Sequence, residues 1–198
     1  MTEWHTGRGG CDRPSRSPRA TLRALGRLYN RTELLEQRER WRNKGQKVAF
    51  TNGCYDLLHP GHIRLIEYAR SCADVLIVGT NTDSGVKRLK GPSRPLIPEQ
   101  ERAELLAALE AVDAVILFDE DTPRELLAQL LPDVLMKGAD WSHFIAGREE
   151  VEAAGGQVIA APLRSGYSTT SIIEKLLALD AGFTPPSQPG VVRRSGES

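Results

Sequence analysis

Short apolar runs at 47–50, 75–79, 112–118, 134–136 and 158–160 punctuate the chain, most of them rich in β-branched residues. Runs this short and this continuous suit strands buried on both faces of a parallel sheet. Between them, apolar residues fall at helical spacing over 61–72, 98–110, 122–131 and 146–154, and again over 169–179. An earlier helical pattern begins at Thr32 and passes Trp41 to Asn43, after which Lys44-Gly45-Gln46 reads as a stop. Regular strand–helix alternation predicts an α/β fold with a five-stranded parallel sheet, right-handed crossovers and helices on both faces. Cap chemistry agrees: Asp121-Thr122-Pro123 opens one helix, and Gly155-Gly156 closes another.

The two ends read differently. Residues 1–30 are crowded with Arg, Gly, Pro and Ser, the composition of a disordered basic arm that buries little. Residues 181–198 carry Pro185, Pro186 and Pro189 among Ser and Gly, and read as a disordered tail. One domain is therefore expected over 31–180, with its core at 47–180. The 198 residues suffice for one well-packed domain and not for two large ones.

Net charge is zero, so no global field argues for nucleic acid or an anionic membrane as a partner. No apolar run approaches the roughly 20 residues of a membrane span, and the N-terminus lacks the apolar segment of a secretory signal. Cys11, Cys54 and Cys72 have no metal-ligand spacing and read as reduced thiols, which places the protein in the cytoplasm.

Chemistry concentrates in Thr51-Asn52-Gly53-Cys54-Tyr55-Asp56-Leu57-Leu58-His59-Pro60-Gly61-His62, which links the first buried run to a helix. A helix start offers unpaired N–H groups and a positive dipole end, both suited to phosphate. Pro60 fits the first turn, because the N–H it lacks would have no intrahelical partner. Gly61 omits a Cβ where a ligand needs close approach. Beside a polyphosphate, His59 and His62 would be cationic donors that stabilise charge as an α-phosphorus passes through its transition state. No base–orienter set accompanies Cys54, so it is not read as a nucleophile.

Ligands of open α/β sheets bind beyond the carboxyl ends of the strands. That rule brings together 51–62, 80–83, 137–140 and 164–170. On this face Lys90 and Arg94, in the basic stretch 87–95, read as phosphate contacts on a closing loop. Lys137 and Asn81 fall on the same rim, Asp56 and Asp83 are candidate magnesium or substrate ligands, and Asp140 is an acceptor for a ribose, base or substrate group. Ser168-Thr169-Thr170 reads as a helix cap whose hydroxyls could also bind phosphate. Neither a Walker A loop nor a G-x-G-x-x-G fingerprint is present.

His-x-Gly-His is the signature of a nucleotidyltransferase superfamily. Residues 32–178 more specifically resemble the D-glycero-β-D-manno-heptose 1-phosphate adenylyltransferase family, through FTNGCYDLLHPGH, VGTNTDSGVKRLKGPSRPL, ERAELLAALEAVDAVILFDEDTP, LLPDVLMKGADW, IAGREEVEAAGGQV and GYSTTSII. That resemblance implies a Rossmann-like three-layer α/β/α fold. It also implies transfer of AMP from ATP to the heptose 1-phosphate, with magnesium on the phosphates and no fixed protein metal ligands. In its terms His59 and His62 serve the transition state and Lys90 the phosphates. Asn52, Gly53, Cys54, Tyr55, Gly61 and Asp140 lie with the nucleotide, Ser168, Thr169 and Thr170 on its phosphate side, and Asp56, Asn81, Asp83, Arg94 and Lys137 with the substrate. Many relatives fuse the activity to a sugar kinase, so a separate heptose kinase is expected here; a homodimer stays open. Arg164 lies four residues before Ser168, whereas cytidylyltransferases place an arginine five before the equivalent run. Alternatives are glycerol-3-phosphate cytidylyltransferase, another transferase of the superfamily, or a nucleotide-binding module without catalysis.

Overall fold

A computed structural model describes residues 26–138, 145–161 and 168–180. The elements run β1 (Arg27–Tyr29), α1 (Arg31–Asn43), β2 (Val48–Gly53), α2 (Pro60–Ser71), β3 (Val75–Asn81), α3 (Asp83–Lys90) and α4 (Glu99–Ala107). They continue with β4 (Ala114–Phe118), α5 (Arg124–Leu130), β5 (Val134–Gly138), α6 (Arg148–Ala153), β6 (Gln157–Ala161) and α7 (Thr169–Asp180). All strand pairs are parallel, in the order β1-β4-β3-β2-β5-β6.

Each central strand sends alternate residues to opposite faces, and a core grows on both. Phe50, Ile77 and Ile116 meet Leu34 and Trp41 of α1, Leu126, Leu127 and Leu130 of α5, and Val151 of α6. Ala49, Leu76, Val78, Val115 and Met136 point the other way, onto Ile66 and Ala69 of α2 and Ala103 and Leu106 of α4. The three-layer α/β architecture is therefore as expected, with one correction. The sheet has six strands and not five, because Arg27–Tyr29 pairs with Ala114, Val115 and Ile116 at the edge. A run of three residues, two of them exposed, carries no periodicity that a sequence pattern could register. The sheet thus begins inside the stretch 1–30 read as an arm; residues 1–25 and 181–198 lie outside the described residues.

An aspartate stands immediately before each of β3, β4 and β5, and each caps a neighbouring strand. Asp74 accepts from the Lys47 amide at 3.0 Å, Asp113 from Leu76 at 2.8 Å, and Asp133 from Val48 at 2.8 Å. Backbone bonds from the same three aspartates to Lys47, Leu76 and Val48 close the rings. Asp133 also takes the buried guanidinium of Arg38, which caps the end of α5 through the carbonyls of Leu130 and Leu131. These contacts fix register at the edge of the sheet where strands begin, leaving the opposite edge for loops.

Two local expectations are corrected. The stretch 87–95 is not all loop: 87–90 completes α3, and Gly91, at φ 97°, ends it. Thr82, not visible as a cap by composition, accepts from the Gly85 amide at 3.1 Å to start that helix. Asp121 makes no cap for α5, whose first turn has none from a side chain; it pairs with Arg88 at 2.8 Å.

Candidate active site

Strand order reverses at β2, which has β3 and then β4 on one side and β5 and then β6 on the other. Such a switch point leaves a crevice where successive loops part. The loop after β2 is 54–59, so the histidine motif enters that crevice from its central strand.

His59 is the N-cap of α2, with extended backbone, and Pro60 occupies the first turn. Its Nδ1 accepts the His62 amide at 3.3 Å, which places the hydrogen of the neutral ring on Nε2. The two rings stack, with centroids 3.7 Å apart and planes 17° from parallel. Tyr55 meets His62 edge-on at 5.0 Å. Burial pushes His62 down to about 4, with the His59 charge adding to the effect, and burial lowers His59 as well. The expectation of cationic rings concerns the pair beside a polyphosphate. Without such a charge both rings favour the neutral form at pH 7, since two cations at stacking distance repel and neither is fully solvated. Among the described residues the Nδ1 of His62 has no partner of full hydrogen-bond geometry, and the Leu57 backbone acts on the ring.

A polar wall backs this loop. The Asp56 carboxylate, 1% exposed, accepts from Arg94 and from the amides of Leu96 at 2.7 Å and Ile97 at 3.0 Å. Arg102, also 1% exposed, donates to Cys54 O, Thr80 Oγ1, Asn81 O, Asp83 Oδ1 and Ile97 O, all between 2.6 and 2.9 Å. Asn81, 3% exposed, accepts from the Cys54 thiol at 3.8 Å and donates to Glu120 O at 3.4 Å. Of the residues read from sequence as substrate contacts, Asp56 and Arg94 thus hold each other, Asp83 is held by Arg102, and the Asn81 side chain is held by Cys54 and Glu120. Tyr55 is a further case: its ring is 3% exposed in the core, so only its backbone faces the loop. Its hydroxyl and that of Thr51 act on one another without full hydrogen-bond geometry, and burial pushes the phenol up. Arg102 itself was missed by sequence reading. It sits in a helical stretch with charged neighbours, Glu101 and Glu104, where an arginine looks like a solvated side chain.

The remaining rim residues converge from both sides. Lys137, near the end of β5, donates to Asn52 O on β2 at 3.0 Å. Lys90 ends α3, is exposed, and acts with Arg102 and Lys137 to lower the Cys54 thiol, but burial outweighs all three and raises it. The thiol therefore stays protonated at neutral pH, consistent with no nucleophilic part for it. Ser168 and Ser171 exchange hydrogen bonds at the start of α7, with Ser171 N to Ser168 Oγ at 3.0 Å. Thr169 Oγ1 lies 3.5 Å from Leu57 O, so α7 begins beside the histidine loop although 112 residues separate the two. Thr170 is exposed on the same first turn, Gly61 is half-buried in the first turn of α2, and Gly53 ends β2. Asp140 and Arg164 lie outside the described residues.

An open parallel sheet with a His-x-Gly-His helix start at its switch point matches the class of fold and site expected from the sequence. Comparison with known proteins narrows the class: the chain belongs to the cytidylyltransferase-like family, whose model matches residues 50–175. Among similar proteins, the bifunctional protein HldE of Acidiphilium cryptum (strain JF-5) is 51% identical over 154 residues, 77% of this chain and 32% of the relative. The bifunctional protein HldE of Hyphomonas neptunium (strain ATCC 15444) is 56% identical over 143 residues, 72% of this chain and 29% of that one. The chain thus spans about a third of the length of these curated relatives. Among solved structures, a lipopolysaccharide core biosynthesis protein from Thermoplasma volcanium GSS1 has a TM-score of 0.50 at 26% identity, covering 63% of this chain and all of that one. A pantoate-beta-alanine ligase from Francisella tularensis shares the fold, with a TM-score of 0.53 at 18% identity and 78% of each chain covered.

Proposed function

We propose that the protein transfers AMP from ATP to D-glycero-β-D-manno-heptose 1-phosphate, giving ADP-D-glycero-β-D-manno-heptose and pyrophosphate. One observation carries the chemistry: a stacked imidazole pair, His59 buried and His62 half-buried, at a helix N-terminus in the crevice at the strand-order reversal. Identity near 50% to proteins named bifunctional HldE supports the acceptor. A phosphate oxygen of the sugar attacks the α-phosphorus, and the bond to the bridging oxygen breaks, releasing pyrophosphate. The acceptor enters as a phosphate dianion or monoanion and needs no base.

His59 Nε2 and the α2 amides would hold the phosphate oxygens on which charge accumulates, and His62 would gain a proton as negative charge enters its pocket. Lys90 and Lys137 would neutralise the departing pyrophosphate, and the hydroxyls of Ser168, Thr169 and Thr170 would line its path. Asn52, Gly53, Gly61 and the backbone of Cys54 and Tyr55 would meet the nucleotide, with Asp140 beyond them. Asp56, Asn81, Asp83 and Arg94 would shape the wall of the acceptor site. Magnesium fits as a phosphate-borne ion, because the carboxylates of Asp56 and Asp83 are occupied by arginines. When bound it would neutralise the phosphates, held by them and by water. ATP and a sugar phosphate as substrates place the reaction in the cytoplasm, where a heptose kinase would supply the acceptor. No described helix is long and apolar enough to cross a membrane.

The deciding experiment is pyrophosphate release across a panel of nucleoside triphosphates and phosphorylated acceptors. ATP with the heptose 1-phosphate should turn over fastest. The family model is cytidylyltransferase-like, which favours one rival, and turnover with CTP and glycerol 3-phosphate alone would establish it.

A further inference from the structure

Arg102 is a fully buried cation whose guanidinium spends every contact on the site face. A buried charge is tolerated only when its donors are met, and here they are met by groups from four places in the chain. Nη1 reaches Cys54 O at 2.6 Å and Thr80 Oγ1 at 2.9 Å; Nη2 reaches Asn81 O at 2.8 Å and Asp83 Oδ1 at 2.9 Å; Nε reaches Ile97 O at 2.9 Å. The ends of β2 and β3, the first residue of α3 and the segment that Asp56 also grips are thereby joined at one point.

The Cys54 contact matters most. Its carbonyl receives two donors, Arg102 and, at 3.2 Å, the Thr80 hydroxyl. In a planar trans peptide the C=O and the next N–H point in opposite directions. Pinning the Cys54 carbonyl toward Arg102 therefore turns the Tyr55 N–H away from it. Tyr55 has φ 48°, a conformation that non-glycine residues seldom adopt and that persists only when its surroundings over-determine it. Its buried ring fixes one side of that residue and the clamped carbonyl the other. The Asp83 contact does a second job: it ties the first turn of α3, and α3 ends on Lys90.

We propose that Arg102 is a positioning residue for the nucleotide: it aims the Tyr55 amide at a phosphate of ATP and sets α3 so that Lys90 reaches the same phosphates. The proposal rests on the nucleotidyltransferase reading, and it concerns binding of ATP as well as turnover.

The test is calorimetric ATP binding and pyrophosphate release for Arg102→Ala and Arg102→Lys, each beside its melting temperature. Loss of one oriented, charge-assisted hydrogen bond should weaken ATP by about tenfold or more. Misaimed groups should lower turnover by a further factor of about 10². Millimolar methylguanidinium should restore ATP affinity to Arg102→Ala, whereas methylammonium should not, because the planar fork and not the charge is what the site needs. Arg102→Lys, charged but without the fork, should stay weak. Thr80→Val removes only the hydroxyl shared by Arg102 and Cys54, and it should cost about threefold in ATP affinity. That variant decides the matter if Arg102→Ala does not fold. Unchanged ATP affinity in Thr80→Val, or methylguanidinium that restores the melting temperature without restoring affinity, would overturn the proposal. Failure of the wild-type protein to release pyrophosphate with any acceptor would instead sink the transferase reading, and the ATP-binding results would still decide the role of Arg102.

Discussion

His62 carries the most informative titration in the molecule. Burial holds it near 4 against an ordinary 6.5, so by itself it is neutral at pH 7. The group is a base whose folded value is depressed. Its contribution to stability is therefore intact above about 6.5 and is lost as pH falls through about 4. A triphosphate brought against the ring reverses the balance, since negative charge favours the imidazolium. ATP binding should accordingly take up protons between pH 5 and 7 and tighten as pH falls toward about 6. Calorimetry in buffers of different ionisation enthalpy measures that uptake; a value of zero would remove His62 from the phosphate site. His62→Ala should bind ATP and lose about 10²-fold in turnover, the scale of removing an oxyanion-type donor, as read by single-turnover kinetics. Asp56 makes a contrasting case. Asp56→Asn keeps the shape but loses the charge that holds Arg94 and two amides, so a stability loss of about 1–3 kcal/mol is expected from denaturant unfolding.

Among the elements, β3 shows most clearly how packing constrains sequence. All of its residues are buried, and Gly79 lies at the centre of the sheet. A Cβ there would stand 2.7 Å from Phe50 Cζ and 3.3 Å from both Asn52 Cβ and Phe118 Cε1. Gly79→Ala should therefore destabilise by about 1–3 kcal/mol through overpacking, seen as a lower denaturation midpoint with the slope unchanged. The strand-leading aspartates are a second constraint at this scale. In the sequence they look like ordinary loop carboxylates; in the fold Asp74, Asp113 and Asp133 each seal an amide at the start of a neighbouring strand. Helix α3 was illegible for a related reason. Its eight residues contain a glycine and three cations, and what starts it is Thr82, itself bonded to Asp119 just past the end of β4. A short helix held by a long-range cap has little local signal to read.

For the whole molecule, β1 is the strand that periodicity could not find. It covers Ala114, Val115 and Ile116 of β4, and an uncovered edge of such residues invites pairing with another chain. Removing residues 1–30 should therefore lower the melting temperature and promote aggregation more than removing residues 1–25 does, as followed by thermal melts with light scattering. Equal behaviour of the two truncations would mean that the edge strand contributes nothing.

Local chemistry alone determined the parallel α/β class, the five strands β2 to β6, the helix start at His59 and the approach of the described rim residues, because each rests on short-range spacing or on the rule that sites lie at strand carboxyl ends. Tertiary packing decided what those residues do with one another. Only the fold could show that His59 and His62 stack, that Asp56, Asp83 and Arg94 are spent on internal ion pairs, and that Arg102 is buried beneath the loop. Burial and partner are properties of position in space, and residues 54, 81 and 83 become neighbours of residue 102 only once the sheet has assembled.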